Sequence, residues 1–106
     1  MNSSNIKSQG LPLENLLERE LQDAEVKLQY DERRFYLQVA RMISDLRAKS
    51  GLSQAALAKR ARVSQPLIAR LEKGDPGRTP TLDTVFKILK ALGYRLDLRV
   101  SREKAA

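Results

Sequence analysis

Apolar residues recur along this chain at helical spacing in four stretches and at alternate positions in a fifth. From Leu13 they fall at Leu13, Leu16, Leu17, Leu21, Ala24 and Leu28, three or four apart, which lines one face of an α-helix. Glu14, Glu18, Glu20, Asp23 and Glu25 fill much of the remainder. The pattern predicts an acidic amphipathic helix over residues 11–32, ending near Tyr30. Pro12 can open it, because the amide that proline lacks would be unpaired there anyway. Asp31 is suited to cap a second helix running to about Ser50, with Phe35, Leu37, Val39, Ala40, Ile43 and Leu46 as core positions. Gly51 is well placed to end it.

The stretch from Leu52 to Gly74, LSQAALAKRARVSQPLIARLEKG, reads as two short helices across a tight turn. Ser53 and Ser64 can each accept a hydrogen bond from an amide of the following first turn. The first helix faces inward with Ala55, Leu57, Ala58 and Ala61, and the small Ala58 admits a close crossing. The second buries Leu67 or Ile68 together with Leu71. Only Arg62 and Val63 lie between them, so the two helices meet steeply. The outer face of the second helix carries Gln65, Ala69, Arg70 and Lys73, and a short polar-to-basic helix of this kind fits a DNA major groove. A plain helical hairpin is the competing reading.

Pro76, Gly77 and Pro80 make the next stretch a loop, in which Arg78 and Thr79 can hydrogen-bond phosphate. Thr81 caps a last helix over Leu82–Leu92, with Leu82, Val85, Phe86, Leu89 and Leu92 expected to face the core and Gly93 to end it. Then Leu96, Leu98 and Val100 alternate with Arg95, Asp97 and Arg99, which predicts one C-terminal β-strand. A single strand cannot pair its own backbone, so it calls for a second copy of the chain or another protein, with Leu96, Leu98 and Val100 as candidate dimerisation residues. Residues 1–10 hold too little apolar surface to order themselves and read as a disordered lead.

Composition narrows the chemistry. The 106 residues contain no cysteine and no histidine, so thiolate chemistry, disulfides and the commonest metal ligand are missing. The chain is expected to be no enzyme and to need no cofactor, metal or small-molecule substrate. No apolar run approaches the roughly 20 residues of a membrane span, and a cytoplasmic location is expected. The net charge of +7 is unevenly spread. Residues 1–32 hold three bases against seven acids, a charge of −4, and residues 33–106 hold seventeen bases against six acids, a charge of +11. The second part suits phosphate.

The Leu52–Gly74 stretch resembles the helix-turn-helix of the lambda-repressor, Cro and XRE family without insertion or deletion. The matching residues are Ser53, Gln54, Ala58, Val63, Ser64, Gln65, Ile68 and Leu71. The resemblance implies an all-α fold, a lambda-repressor-like helix-turn-helix bundle over residues 33–106, carrying the N-terminal helical extension and the C-terminal strand. It also implies that Gln54 touches a phosphate and that Gln65 meets a base edge or Gln54 itself. Arg62 departs from the family pattern, since glycine usually fills that turn position. If its φ is positive the strain is roughly 1 kcal/mol. Together, Gln54, Ser64, Gln65, Pro66, Arg70, Lys73 and Arg78 are the expected contacts to double-stranded operator DNA.

From about Leu17 to Val100 the layout is similar to antitoxins of the HigA type. The shared features are the acidic helix, the DAEV segment, ARMI, PTLDTV and ALGYRLDL. That resemblance implies a dimer that represses its own operon and neutralises a basic RelE- or HigB-like toxin that cuts mRNA. Leu13, Leu16, Leu17, Leu21 and Leu28 become candidate toxin contacts if the acidic helix docks on a partner. Docking on its own domain is the other reading of that stripe. The alternative function is a stand-alone XRE-family transcriptional regulator with no toxin partner.

Overall fold

The computed structural model describes residues 13–75, 77 and 79–104, with side chains from residue 15 onward. The expected lead over residues 1–10, the opening at Pro12, the Leu13 side chain and Arg78 lie outside the described residues. Four helices follow one another: α1 (Leu13–Lys49), α2 (Gln54–Ala61), α3 (Gln65–Lys73) and α4 (Leu82–Ala91). No strand occurs among the described residues. The chain divides into two compact units, Met1–Phe35 and Tyr36–Ala106.

The first correction concerns α1. The expected break at Tyr30–Asp31 is absent, and one helix of 37 residues runs through it. No proline or glycine lies between Leu13 and Gly51, so nothing removes a hydrogen bond or loosens the backbone. An aspartate inside a helix costs only about 0.7 kcal/mol at most, and propagating an existing helix is far easier than nucleating a new one. Asp31 stays on an exposed surface, where its cap-forming ability has no helix end to serve.

In the Tyr36–Ala106 unit, Ile43, Leu57, Ile68 and Ile88 are wholly buried, one from each helix. Ala58, Ala61 and Leu71 complete this core, with Val39, Val63, Leu67, Ala91 and Leu92 packed against it. Of the two inward candidates on α3, Ile68 is the buried one and Leu67 the half-buried one. Ala55 is exposed. Phe35 and Leu37 are exposed as well, and Ala40 and Ile43 take the core positions. On α4 Val85 and Leu89 are buried and Leu92 is half-buried, as expected, but Leu82 and Phe86 are 67% and 49% exposed, and Ile88, absent from the expected set, is wholly buried. Positions 82 and 86 fit the helical period as well as 88 does, and tertiary packing decided between them.

The starts of α2, α3 and α4 are read correctly. Ser53 Oγ accepts from the Ala56 amide at 3.0 Å, Ser64 Oγ from Leu67 at 3.2 Å and Thr81 Oγ1 from Thr84 at 3.1 Å. The helix ends share one closure. The residue after the last helical turn is left-handed at Gly51, Arg62, Gly74 and Gly93, with φ of 72°, 58°, 71° and 87°. Each time the next amide reaches back five residues: Leu52 to Arg47, Val63 to Ala58, Asp75 to Arg70 and Tyr94 to Leu89.

The expected C-terminal strand is the other correction. Residues 94–104 hold no regular structure, and no backbone hydrogen bond joins 95–104 to another described residue. Leu96 is half-buried, while Leu98 and Val100 are 72% and 96% exposed. The alternation signals a chain able to pair on one face, but a ladder needs a second strand, and none occurs among the described residues.

Candidate nucleic-acid interface

The turn between α2 and α3 is fixed by Arg62, at φ 58° and ψ 44°, the one left-handed residue other than glycine among the described residues. Its amide bonds the carbonyls of Ala58 and Lys59, and the Val63 amide returns to Ala58 at 3.0 Å. These bonds satisfy the last carbonyls of α2 and aim the chain directly into the Ser64 cap.

Helix α3 turns Ile68 and Leu71 into the core and leaves Gln65, Pro66, Arg70 and Lys73 exposed. Pro66 stands in its first turn, where its missing amide costs nothing. Pro66, Arg70 and Lys73 lie four and three residues apart and therefore share one face. Neither Arg70 nor Lys73 is ion-paired among the described residues, so both charges face solvent. Ser64 is exposed too, with its oxygen already accepting from Leu67, so its hydroxyl hydrogen remains to be donated.

Gln54 sits differently. It is half-buried at the start of α2, and its Nε2 donates to Glu72 Oε1 at 3.2 Å rather than meeting Gln65. Glu72 is held in turn by Arg47 of α1, whose Nε and Nη2 donate at 2.6 and 2.8 Å in a bidentate pair. Arg47 Nη1 donates to the Leu52 carbonyl at 2.8 Å. The two side chains are only 19% and 7% exposed. Arg47 therefore ties α1 to α3 and, through Glu72 and Gln54, to the start of α2. Burial pushes the Glu72 carboxyl up, but hydrogen bonds from Arg47, Gln54 and Ser44 and the guanidinium charge outweigh it and hold the carboxyl below its usual range. The Glu72 hydrogen bond, opposed by burial and aided by the carboxylate charge, raises Arg47.

Glu72 did not emerge from sequence reasoning. The available signal is that it is the sole acid between Asp45 and Asp75, in a basic stretch. A lone acid there fits a specific partner better than a solvated surface. Thr81 and Thr84 were also missed as surface groups. They line an open pocket of about 290 Å³ with Ser64, Arg70 and Thr79, over Leu67, Leu71 and Pro80. Hydroxyls and a guanidinium gathered between the starts of α3 and α4 offer donors to a phosphate oxygen.

A capped helix, a left-handed turn and a second capped helix with a basic outer face form one unit, and a family model described as helix-turn-helix matches residues 43–98, more than half of the chain. The chain belongs to the helix-turn-helix family. It is of the XRE type, as the sequence resemblance implied. Over 60 residues it is 42% identical to a protein of Haemophilus influenzae described as an uncharacterized HTH-type transcriptional regulator. That match spans 57% of this chain and 59% of the relative, so the chain accounts for little more than half of the relative's length. A solved chain described as "Toxin-Antitoxin module from Streptococcus pneumoniae" is 33% identical, with a TM-score of 0.51, covering 89% of this chain and 97% of its own.

The helix-turn-helix thus brings Ser64, Gln65, Pro66, Arg70 and Lys73 to one exposed surface and sets Gln54 at its edge on Glu72. The leucines at 16, 17, 21 and 28 belong to the other unit, where they are 43%, 52%, 70% and 58% exposed. No described helix is long and apolar enough to cross a membrane.

Proposed function

We propose that this regulator is a DNA-binding antitoxin that represses its own operon and neutralises a basic toxin protein. The observation that carries the reading is the extent of the likeness to the Streptococcus pneumoniae toxin-antitoxin chain. At 89% coverage it extends well outside residues 43–98 and takes in much of the long α1. The exposed leucine stripe at 16, 17, 21 and 28 supports it, since it lies on an acidic helix suited to a basic apolar groove. The partner would be a RelE- or HigB-like mRNA-cleaving enzyme.

On DNA, a dimer sets two copies of α3 into successive major grooves about 34–36 Å apart. Arg70 reads guanine and Gln65 adenine, both by bidentate hydrogen bonds. Pro66 meets a thymine methyl. Gln54, Ser64, Lys73 and Arg78 hold phosphates and set register. The protein acts in the cytoplasm and consumes no substrate.

A pull-down of the tagged protein from its native cells at low salt tests the reading. A stoichiometric small basic companion, lost in a Leu17→Asp, Leu21→Asp variant that still binds DNA, is the expected result. Recovery of the protein alone, still binding its upstream DNA, would instead establish a stand-alone regulator, the reading that the Haemophilus influenzae relative's description favours.

A further inference from the structure

Three of the four left-handed helix ends are glycine, and the fourth is Arg62. A Cβ makes that conformation unfavourable, and the residues that tolerate it best are asparagine and aspartate, whose short polar side chains bond locally. The backbone at this turn therefore does not select arginine. Packing does not select it either. The Arg62 side chain is exposed, and its guanidinium forms no hydrogen bond or ion pair with another described residue. Glu72, the sole acid between Asp45 and Asp75, is already taken by Arg47. A strained residue that neither backbone nor packing calls for points to a use outside the chain.

We infer that Arg62 holds a phosphate of the operator backbone beside the start of α3. The inference rests on the DNA-binding reading above and adds to it a contact made from the turn itself. Arg62 stands two residues before the Ser64 cap, so the two Cα atoms lie within about 7 Å of each other. Ser64 and Gln65 are both exposed and open the helix that enters the groove. A long side chain leaving the chain at this point meets the sugar-phosphate strand that walls the groove. The Arg62 amide is bonded to the carbonyls of Ala58 and Lys59, so the Cα is fixed and only the side chain has to be ordered. The guanidinium fork offers donors to two phosphate oxygens at once. Such a contact sets position and carries no sequence information.

The test measures the full chain on duplex DNA from immediately upstream of its own gene, over a range of salt, with thermal unfolding alongside. Arg62→Gly should bind about tenfold more weakly, with a salt slope flatter by about one, while unfolding at a higher temperature. Arg62→Gln keeps the Cβ and the strain but loses the charge. It should bind as weakly as the glycine variant without the gain in Tm. Arg62→Lys should retain most of the affinity and the slope. Arg19→Gln, which removes one charge from the exposed face of the acidic helix, should leave both unchanged. Native affinity in both neutral Arg62 variants would overturn the inference by showing an unused side chain. Weak binding by the glycine variant alone would overturn it by showing that the stiffness of the turn matters, and an equal loss in Arg19→Gln by showing a general charge effect. A native chain that binds none of this DNA at low salt would instead remove the DNA-binding reading, and this contact with it.

Discussion

At Arg62 the chain places an arginine in a conformation that the other three helix ends reserve for glycine. The left-handed region costs an L-residue roughly 1–2 kcal/mol, offset in part because glycine has more backbone freedom to lose on folding. Arg62→Gly should therefore raise stability by up to about 1 kcal/mol, a gain of several degrees in Tm for a domain of this size, measured by thermal unfolding. At Gly74 a Cβ would lie 2.6 Å from Leu37 Cδ2, so Gly74→Ala should destabilise by more than the same change at Gly51, where nothing stands within 4 Å. In the proposed DNA complex Arg70 and Lys73 have different roles. Arg70→Ala should lose about 1–3 kcal/mol on preferred sites only, flattening the ranking of operator variants. Lys73→Ala should weaken all sequences alike and reduce the salt slope by about one. Titrating both variants over a set of operator variants and salt concentrations checks the assignment.

Among the elements, α1, α2 and α3 are pinned by the Arg47–Glu72–Gln54 network. Arg47→Met leaves a largely buried carboxylate with fewer donors and should cost about 2–3 kcal/mol in urea unfolding. The carboxyl is depressed in the fold, so its contribution is complete above the ordinary glutamate value of about 4.3. It disappears as pH falls through the lower folded value. Glu72→Gln should remove that acid limb from a stability–pH profile and lower stability at neutral pH. Element starts were legible in the sequence because a cap is local: Ser53, Ser64 and Thr81 act within three residues. The false start at Asp31 shows the limit of that logic, because a capping residue inside an unbroken run has no helix end to satisfy. The burial of Ile88 in place of Leu82 and Phe86 on α4 and the pairing of Arg47 with Glu72, 25 residues away, depend on which helix lies opposite, and periodicity carries no such information. The outer face of α3 was legible for the converse reason: solvent imposes no partner, so its residues stand as the helical wheel places them.

For the whole molecule, the division of charge sets different salt dependences for DNA binding and for the proposed toxin contact. With +11 on residues 33–106 and −4 on residues 1–32, DNA affinity should fall steeply with salt. The contact proposed for the leucines of the acidic helix should fall much less, since apolar burial is not screened. Measuring both affinities between 50 and 300 mM salt, as chosen conditions, should yield two clearly different slopes.

The shared closure of the four helix ends has a stereochemical consequence. At Gly51, Arg62, Gly74 and Gly93 the backbone occupies the region natural to residues of the opposite hand. A synthetic chain with D-alanine in place of Gly51 or Gly93 should fold unchanged and unfold at a higher temperature, because the substitution matches the native dihedral and restricts the unfolded chain. The same D-residue at Ile43 or Ile68, inside a right-handed turn of the core, should prevent folding. The mirror-image tolerance of this chain is thus mapped by its helix ends.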